Sequence, residues 1–181
     1  MSAKRVTAAD EILQKLALKP LPGEGGYFRE TYRSNSPGLN ARSFGIESDS
    51  VRKICTAIYY LVTPESFSAL HRIKSDEVFH FYAGDPVEMI QIDAKGRLQI
   101  FLMGSDVMNG QVPQVVVPRG DWQGLRIKDG GKWALLGTTV APGFEFEDFE
   151  LGERSRMSAE FPRLKDSIDR YTRESRENAR E

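Results

Sequence analysis

Ser68-Ala-Leu-His71-Arg-Ile-Lys-Ser-Asp-Glu77-Val-Phe-His80-Phe-Tyr-Ala-Gly84 carries both histidines of the chain, a carboxylate six residues beyond the first, and a glycine closing an aromatic run. Two β-forming segments, Phe67 to Ile73 and Glu77 to Tyr82, flank a short polar link. They read as one β-hairpin of a small barrel, with His71 and Glu77 converging in the lumen. By strand parity Phe79 and Phe81 share the interior face with Glu77, while His80 points to the opposite face, into packing or a subunit contact. A bulge would reverse that assignment.

On the N-terminal side, Thr7-Ala-Ala-Asp10 has the form of a helix cap, and Ile12, Leu13 and Leu16 then fall on one helical face. A short amphipathic helix over residues 6–19 is expected, ended by Pro20 and Pro22. Gly23-Glu-Gly-Gly26 reads as a flexible turn. It is not a phosphate loop, because it lacks the Gly-Lys-Ser/Thr end and precedes a strand. In the strand Tyr27 to Arg33, alternation puts Tyr27, Arg29, Thr31 and Arg33 on one face and Phe28, Glu30 and Tyr32 on the other. Residues 34–50 are polar and turn-rich, which predicts a long, partly mobile rim loop. Lys53 to Val62 is a buried strand in which Thr56, Ile58 and Tyr60 share one face and Cys55, Ala57, Tyr59 and Leu61 the other. One tyrosine therefore faces the lumen, and Tyr60 is the favoured one.

On the C-terminal side, short strands recur at 87–92, 97–103, 114–117, 122–127 and 133–140, separated by Gly, Pro and Asp turns. That rhythm predicts an all-β barrel or sandwich over residues 26–150 of one domain, 1–181. Trp122 and Trp133 read as core or interface anchors. In Phe144-Glu-Phe-Glu-Asp-Phe-Glu150, an aromatic-in, acid-out strand would let Phe144, Phe146 and Phe149 seal the barrel. Leu164, Ile168 and Tyr171 mark a C-terminal helical segment over 162–175.

Composition narrows the classes. The 181 residues are 40% apolar and 28% charged, with a net charge of −1, as expected of an ordinary globular domain. No basic stripe supports a nucleic-acid partner. Cys55, the single cysteine, excludes an intramolecular disulfide and a cysteine-cluster zinc site, and reads as a buried small hydrophobe. No secretory h-region and no run long enough to span a membrane is present, so the default location is the cytoplasm.

An imidazole beside a carboxylate is half of a first-row metal site and equally an acid–base pair. Tyr60 is the candidate for a second proton-transfer group. Arg29, with Tyr27 and Thr31, would offer a cation and hydroxyls to an anionic or sugar-like ligand. Both readings remain open on residue types alone.

The spacing resembles the cupin superfamily. Its first motif, G-x5-H-x-H-x3–4-E-x6-G, is matched by His71, Glu77 and Gly84, with Ile73 at the second histidine position. Aligned one step later, His71 becomes the second histidine and Ala69 replaces the first. Its second motif, G-x5-P-x-G-x2-H-x3-N, is matched by Pro118, Gly120 and Gln123, with glutamine where histidine is expected. The runs EGGYFRETYR, TAIYYLV, FSALHRIKSDEVFHFYAGDP, VVPRGDWQG and VAPGFEFEDFELG resemble a subgroup of small, single-domain cupins. That subgroup usually reads His-Pro-Glu-Gly-Gly at its first turn, where this chain has Pro22-Gly-Glu-Gly-Gly26.

The resemblance implies a double-stranded β-helix, a jelly-roll barrel similar to that of sugar-nucleotide epimerases, generally dimeric. A metal, if held, would be a divalent Mn, Fe, Ni or Zn on His71, Glu77 and Gln123. Three functions are expected to compete. One is a pocket for a sugar-nucleotide or oxo-acid-like metabolite with isomerase-type chemistry on His71, Glu77 and Tyr60, its walls including Phe79, Phe81 and Gln123. The others are a binding module without chemistry and a metal-dependent enzyme.

Overall fold

The computed structural model describes residues 6–173. In chain order the elements are α1 (Ala8–Lys15), β1 (Lys19–Pro20), β2 (Tyr27–Arg33), β3 (Leu39–Asn40), β4 (Val51–Arg52), β5 (Thr56–Val62), β6 (Ser68–Arg72), β7 (Asp76–Gly84), β8 (Val87–Ile92), β9 (Leu98–Met103), β10 (Gln114–Val117), β11 (Trp122–Ile127), β12 (Ala134–Ala141), β13 (Glu150–Leu151), α2 (Arg154–Glu160) and α3 (Lys165–Tyr171). Two antiparallel sheets face each other, ordered β1-β2-β5-β12-β7-β10 and β13-β6-β11-β8-β9. No helix among the described residues is long and apolar enough to cross a membrane.

Alternation drives the layering. Along β8, Val87 and Met89 point between the sheets, and Ile90 and Ile92 point out beneath the C-terminal helices. The inner cluster joins Val62, Phe79, Met103, Leu125 and Leu136 from both sheets. A second cluster joins Leu70 and Trp122 to Met157, Ile168 and Tyr171, so α2 and α3 cover the outer face of the five-stranded sheet. The helical segment expected over 162–175 is α3 with a 3-10 turn before it; residues 174 and 175 lie outside the described chain. α2 escaped the sequence reading because its face contributes a single buried residue, Met157. At the other end, Thr7 and Asp10 form the expected reciprocal cap of α1.

The expected hairpin is corrected. β6 pairs with β11 and β13, and β7 with β12 and β10, so the two strands belong to opposite sheets. Residues 73–75 carry the chain across the sandwich edge, fixed by the Gly120 N–H to the Ile73 carbonyl at 2.9 Å. His71 and Glu77 still converge, but across the lumen rather than along one ladder.

β2 supplies the second correction. Its register on β5 runs Phe28↔Tyr60 and Glu30↔Ile58, then skips to Tyr32↔Ala57 and Arg33↔Thr56. Thr31 is the extra residue of a bulge, its hydroxyl donating to the Ala57 carbonyl at 3.2 Å. Phe28, Glu30 and Arg33 therefore face the lumen. Tyr27 packs near α1, and Arg29 lies outside, its guanidinium 5.6 Å from the Tyr59 ring centroid.

The 34–50 segment is more ordered than a rim loop, with the β3–β4 ladder and a 3-10 turn at Ala41–Phe44. Cys55 is half-buried rather than buried. The stretch after Phe144 is a 3-10 turn, Phe146–Asp148, running into the short β13, so it is not the strand its alternation implied. Its anchor is Arg52, 1% exposed, which donates to both carboxylate oxygens of buried Asp148 at 3.1 and 2.9 Å and also to Glu147. That pin delivers Phe149 onto the His71 imidazole, ring centroids 5.2 Å apart.

Removing one member of a buried ion pair strands the other's charge. Arg52→Ala is expected to cost about 3–5 kcal/mol of unfolding free energy in urea titrations. A loss below about 1 kcal/mol would show that the Arg52–Asp148 pair does not anchor the segment.

Candidate functional site

A cavity of about 100 Å³ opens between the sheets, lined by residues of β2, β5, β6, β7 and β12 and roofed by residues 144–149. Its floor is polar. Inward parity on β6 and β11 sets His71 directly opposite Gln123 in the ladder, and both are buried. The His71 Nδ1 lies 2.8 Å from the Ala69 carbonyl. A carbonyl only accepts, so Nδ1 carries the proton and Nε2 is left with its lone pair. The Gln123 side-chain nitrogen meets that lone pair at 3.0 Å and gives its other hydrogen to Glu77 Oε2 at 2.7 Å. One amide thus links an imidazole on one sheet to a carboxylate on the other. Gln123 Oε1 has no partner among the described residues.

Glu77 is buried, and burial pushes its carboxyl up to about 7; the His71 imidazole opposes the shift, Glu24 adds to it, and Thr138 and Gln123 hydrogen bonds oppose it. The carboxyl therefore changes charge near neutral pH, the range in which an acid–base group works.

Glu24 is the site residue the sequence reading missed. It takes the Ser68 hydroxyl on Oε1 at 2.8 Å and holds Oε2 3.7 Å from His71 Nε2. Its loop is tied rather than flexible. The Glu24 carbonyl accepts from the Ala69 N–H and from Arg173, which also donates to the Gly23 and Phe67 carbonyls. Gly25 accepts from the Tyr60 hydroxyl at 2.8 Å, and the Gly26 N–H donates to Ser66 Oγ at 2.9 Å. Gly25 and Gly26 take φ of +97° and +69°, and a Cβ on Gly26 would stand 2.6 Å from the Tyr60 ring. The readable signal was a lone carboxylate inside a glycine cluster, where the backbone must be shaped to the side chain's neighbours.

The other expected residues divide. Tyr60, not Tyr59, faces the lumen, but burial pushes its phenol well above the usual range and Glu24 adds to it. Its hydroxyl donates to the Gly25 carbonyl, so it serves as a wall and loop anchor. Phe79 lines the cavity, whereas Phe81 packs against the inner core away from it. Gln123 lies beneath the cavity surface rather than on it. Tyr27 and Arg29 are outside the lumen because the inward face of β2 is that of Phe28 and Glu30, and Thr31 because it is the bulge residue. His80 points outward as expected, between Thr139 and Gln114 and stacked on Tyr82.

The donor set does not fit a resident first-row metal. The lumen offers one imidazole, its free lone pair takes a Gln123 hydrogen, and Gln123 presents nitrogen rather than oxygen to it. No group of three or more His, Cys, Asp or Glu among the described residues is arranged for a metal ion.

Glu77 has a consequence for stability. Its folded value lies above the ordinary carboxylate value of 4.5, so between the two the folded chain holds a proton that the unfolded chain has released. Its contribution is full below about 4.5 and is lost as pH rises through about 7, a difference of about 3 kcal/mol. Glu77→Gln is expected to be more stable than the parent at pH 8 and similar at pH 5, with a flatter dependence of Tm on pH in between. Parallel curves for the two proteins would exclude a raised carboxyl at Glu77.

Comparison with known proteins agrees with this architecture. The chain is 32% identical over 133 residues to an uncharacterised protein of Saccharomyces cerevisiae, an alignment spanning 69% of this chain and 66% of the relative, just under two thirds of it. A hypothetical protein from Leishmania major superposes with a TM-score of 0.83 at 31% identity, covering 93% of this chain and all of that one. A Shewanella oneidensis protein gives 0.81 at 31% identity, covering 93% and 99%. Bacillus subtilis oxalate decarboxylase matches at 0.50 and 17% identity, over 85% of this chain and 37% of that one, a likeness of fold alone. The sequence profile described as the cupin superfamily, DUF985, matches residues 10–152, and with it the two-sheet sandwich and its lumen identify this chain as a member of that family.

Proposed function

We propose that this cupin binds a small metabolite in its lumen and transfers protons there, with Glu77 as the general acid–base group. The observation that carries the reading is a buried carboxyl facing a cavity and joined through Gln123 to the His71 imidazole. Such a group takes a proton from carbon beside a carbonyl when ionised, and returns one when protonated. Glu24 replaces Tyr60 as the second group, since it shares the floor and its loop is fixed on five sides. His71 holds the Gln123 amide in place. Isomerase-type chemistry needs nothing further from the protein than two such groups and an enclosed, apolar wall.

The charge inventory bears on the substrate. Phosphate or carboxylate recognition would need a free cation, yet Arg33 at the mouth is spent on Glu30, Glu145 and the Phe144 carbonyl. The anionic members of the expected class, sugar nucleotides and oxo-acids, are therefore disfavoured against neutral or positively charged carbonyl compounds. A second reading, binding without turnover, is favoured by His71 and Tyr60 both being committed to partners within the chain.

Incubation in D₂O with hydroxy-ketones, amino-ketones and oxo-acids, followed by NMR, separates the two. Proton transfer predicts deuterium entering the carbon beside the carbonyl, slowed about 100-fold or more in Glu77→Gln. Exchange no faster than buffer in every case would leave binding alone; unchanged exchange in a folded Glu77→Gln would remove Glu77 from the mechanism.

We also infer a two-fold dimer. β1 pairs only with Tyr27 and Phe28, leaving the rest of β2 an open edge, on which Tyr32 is about half exposed, at 53%. Uncovered aromatic edges invite pairing with another chain. Light scattering on the eluting protein should return twice the 20.4 kDa chain mass. A monomer at tens of micromolar protein would contradict this.

A further inference from the structure

The lumen has an unbalanced charge. Its lining contains four glutamates, at 24, 30, 77 and 145, against one arginine, Arg33. Arg33 answers Glu30 and Glu145 at the mouth, with contacts of 2.8 and 2.7 Å. On the floor Glu24 and Glu77 face each other's neighbourhood with no lysine or arginine among the lining residues. The one imidazole there keeps its proton on the Ala69 side. Buried carboxylates without a cation are costly, and the free protein relieves the cost by holding a proton on Glu77. A metal is turned away by the Gln123 hydrogen on His71. Arg173 acts on Glu24 from outside the lining and spends its hydrogen bonds on the Gly23, Glu24 and Phe67 carbonyls rather than on either carboxylate, so a cation brought by the ligand is the way to neutralise the floor from within the cavity.

The walls agree in kind. Phe28, Phe79, Phe144, Phe146 and Phe149 line the same cavity, and aromatic faces attract cations as well as apolar groups. A volume of about 100 Å³ limits the body to roughly five or six non-hydrogen atoms beyond the floor contact. An ammonium carries three donors and no acceptor, the complement of two carboxylates.

We propose that the lumen is selective for a small organic cation, an ammonium group seated against Glu24 and Glu77 with a short apolar body against the phenylalanines. This rests on the lumen being the ligand site and names the class of ligand. It gives Glu24 a task that hydrogen bonding to Ser68 alone leaves unfilled. It also assigns Arg33 to screening the mouth carboxylates rather than to binding an anion.

The groups facing Glu77 are Glu24 from the β1–β2 loop, Tyr60 on β5, His71 on β6, Gln123 on β11 and Thr138 on β12, with Glu30 and Arg33 farther out on β2. Of these only Glu24 and Glu77 gain from a cation placed on the floor. Because the bound cation favours ionised Glu77, binding releases a proton when it occurs at or below about pH 7.

The test is calorimetry of the full chain with n-butylammonium, n-butanol and butyrate, three probes of one shape and different charge. At pH 8 butylammonium is expected to bind about tenfold tighter than butanol, with butyrate weakest, and its affinity should fall about tenfold at pH 6. Heats measured in two buffers should show proton release at pH 6. The Glu24→Gln/Glu77→Gln double variant should bind butylammonium and butanol alike; if that variant does not fold, the charge series and the pH series on the parent decide the matter. Butanol or butyrate binding as tightly as butylammonium, or no butylammonium binding at a few tens of millimolar, overturns the proposal. Either result leaves the deuterium-exchange test of Glu77 standing on its own, so the two readings fail separately.

Discussion

Gln123 places one amide nitrogen between an imidazole on one sheet and a carboxylate on the other, and the character of the lumen follows from that bridge. The Ala69 carbonyl fixes the His71 tautomer, the tautomer fixes which nitrogen can accept, and the acceptor fixes the amide's orientation. The Glu77 carboxyl receives that amide N–H, and burial outweighs both it and the opposing His71 imidazole in setting its acidity. The cost of this ordering is visible in the Gln123 oxygen, which lacks a partner among the described residues. A histidine at this position would instead offer a second imidazole toward the same point. Glutamine changes the site from one that collects lone pairs to one that uses them up.

Much of this site was readable from residue spacing. His71, Glu77 and Gln123 stand at the positions that the family's motifs assign to ligands, and alternation puts one of Tyr59 and Tyr60 in the lumen without deciding which. What misled the reading was non-local. β6 and β7 are close in sequence, but their ladder partners come from residues 114–151, so a local hairpin was the wrong pairing for the right pair of side chains. On β2 a single extra residue, Thr31, exchanges the faces of everything after it. Arg33 is thereby turned into the lumen while Arg29, before the bulge, stays on the outer face, and no local composition marks the bulge. Glu24 was hidden for a different reason. Glycines on either side of it look like freedom, whereas here they are the residues that let the backbone sit against Tyr60 and Arg173.

The roof and the floor are secured by different physics. Above, a buried ion pair, Arg52–Asp148, holds the aromatic segment that stacks on His71. Below, neutral carbonyls and hydroxyls hold the Glu24 loop, with Arg173 as the one cation among their donors. In both cases the cation that does the securing, Arg52 or Arg173, is not among the residues lining the lumen. The likeness to oxalate decarboxylase extends to the sandwich and stops there.

Arg173 also closes a long loop. The guanidinium that holds the Glu24 carbonyl follows it 149 residues later in the chain. Closing so long a loop costs more chain entropy than the local turns do, so the floor depends on the sandwich holding these two distant segments near each other.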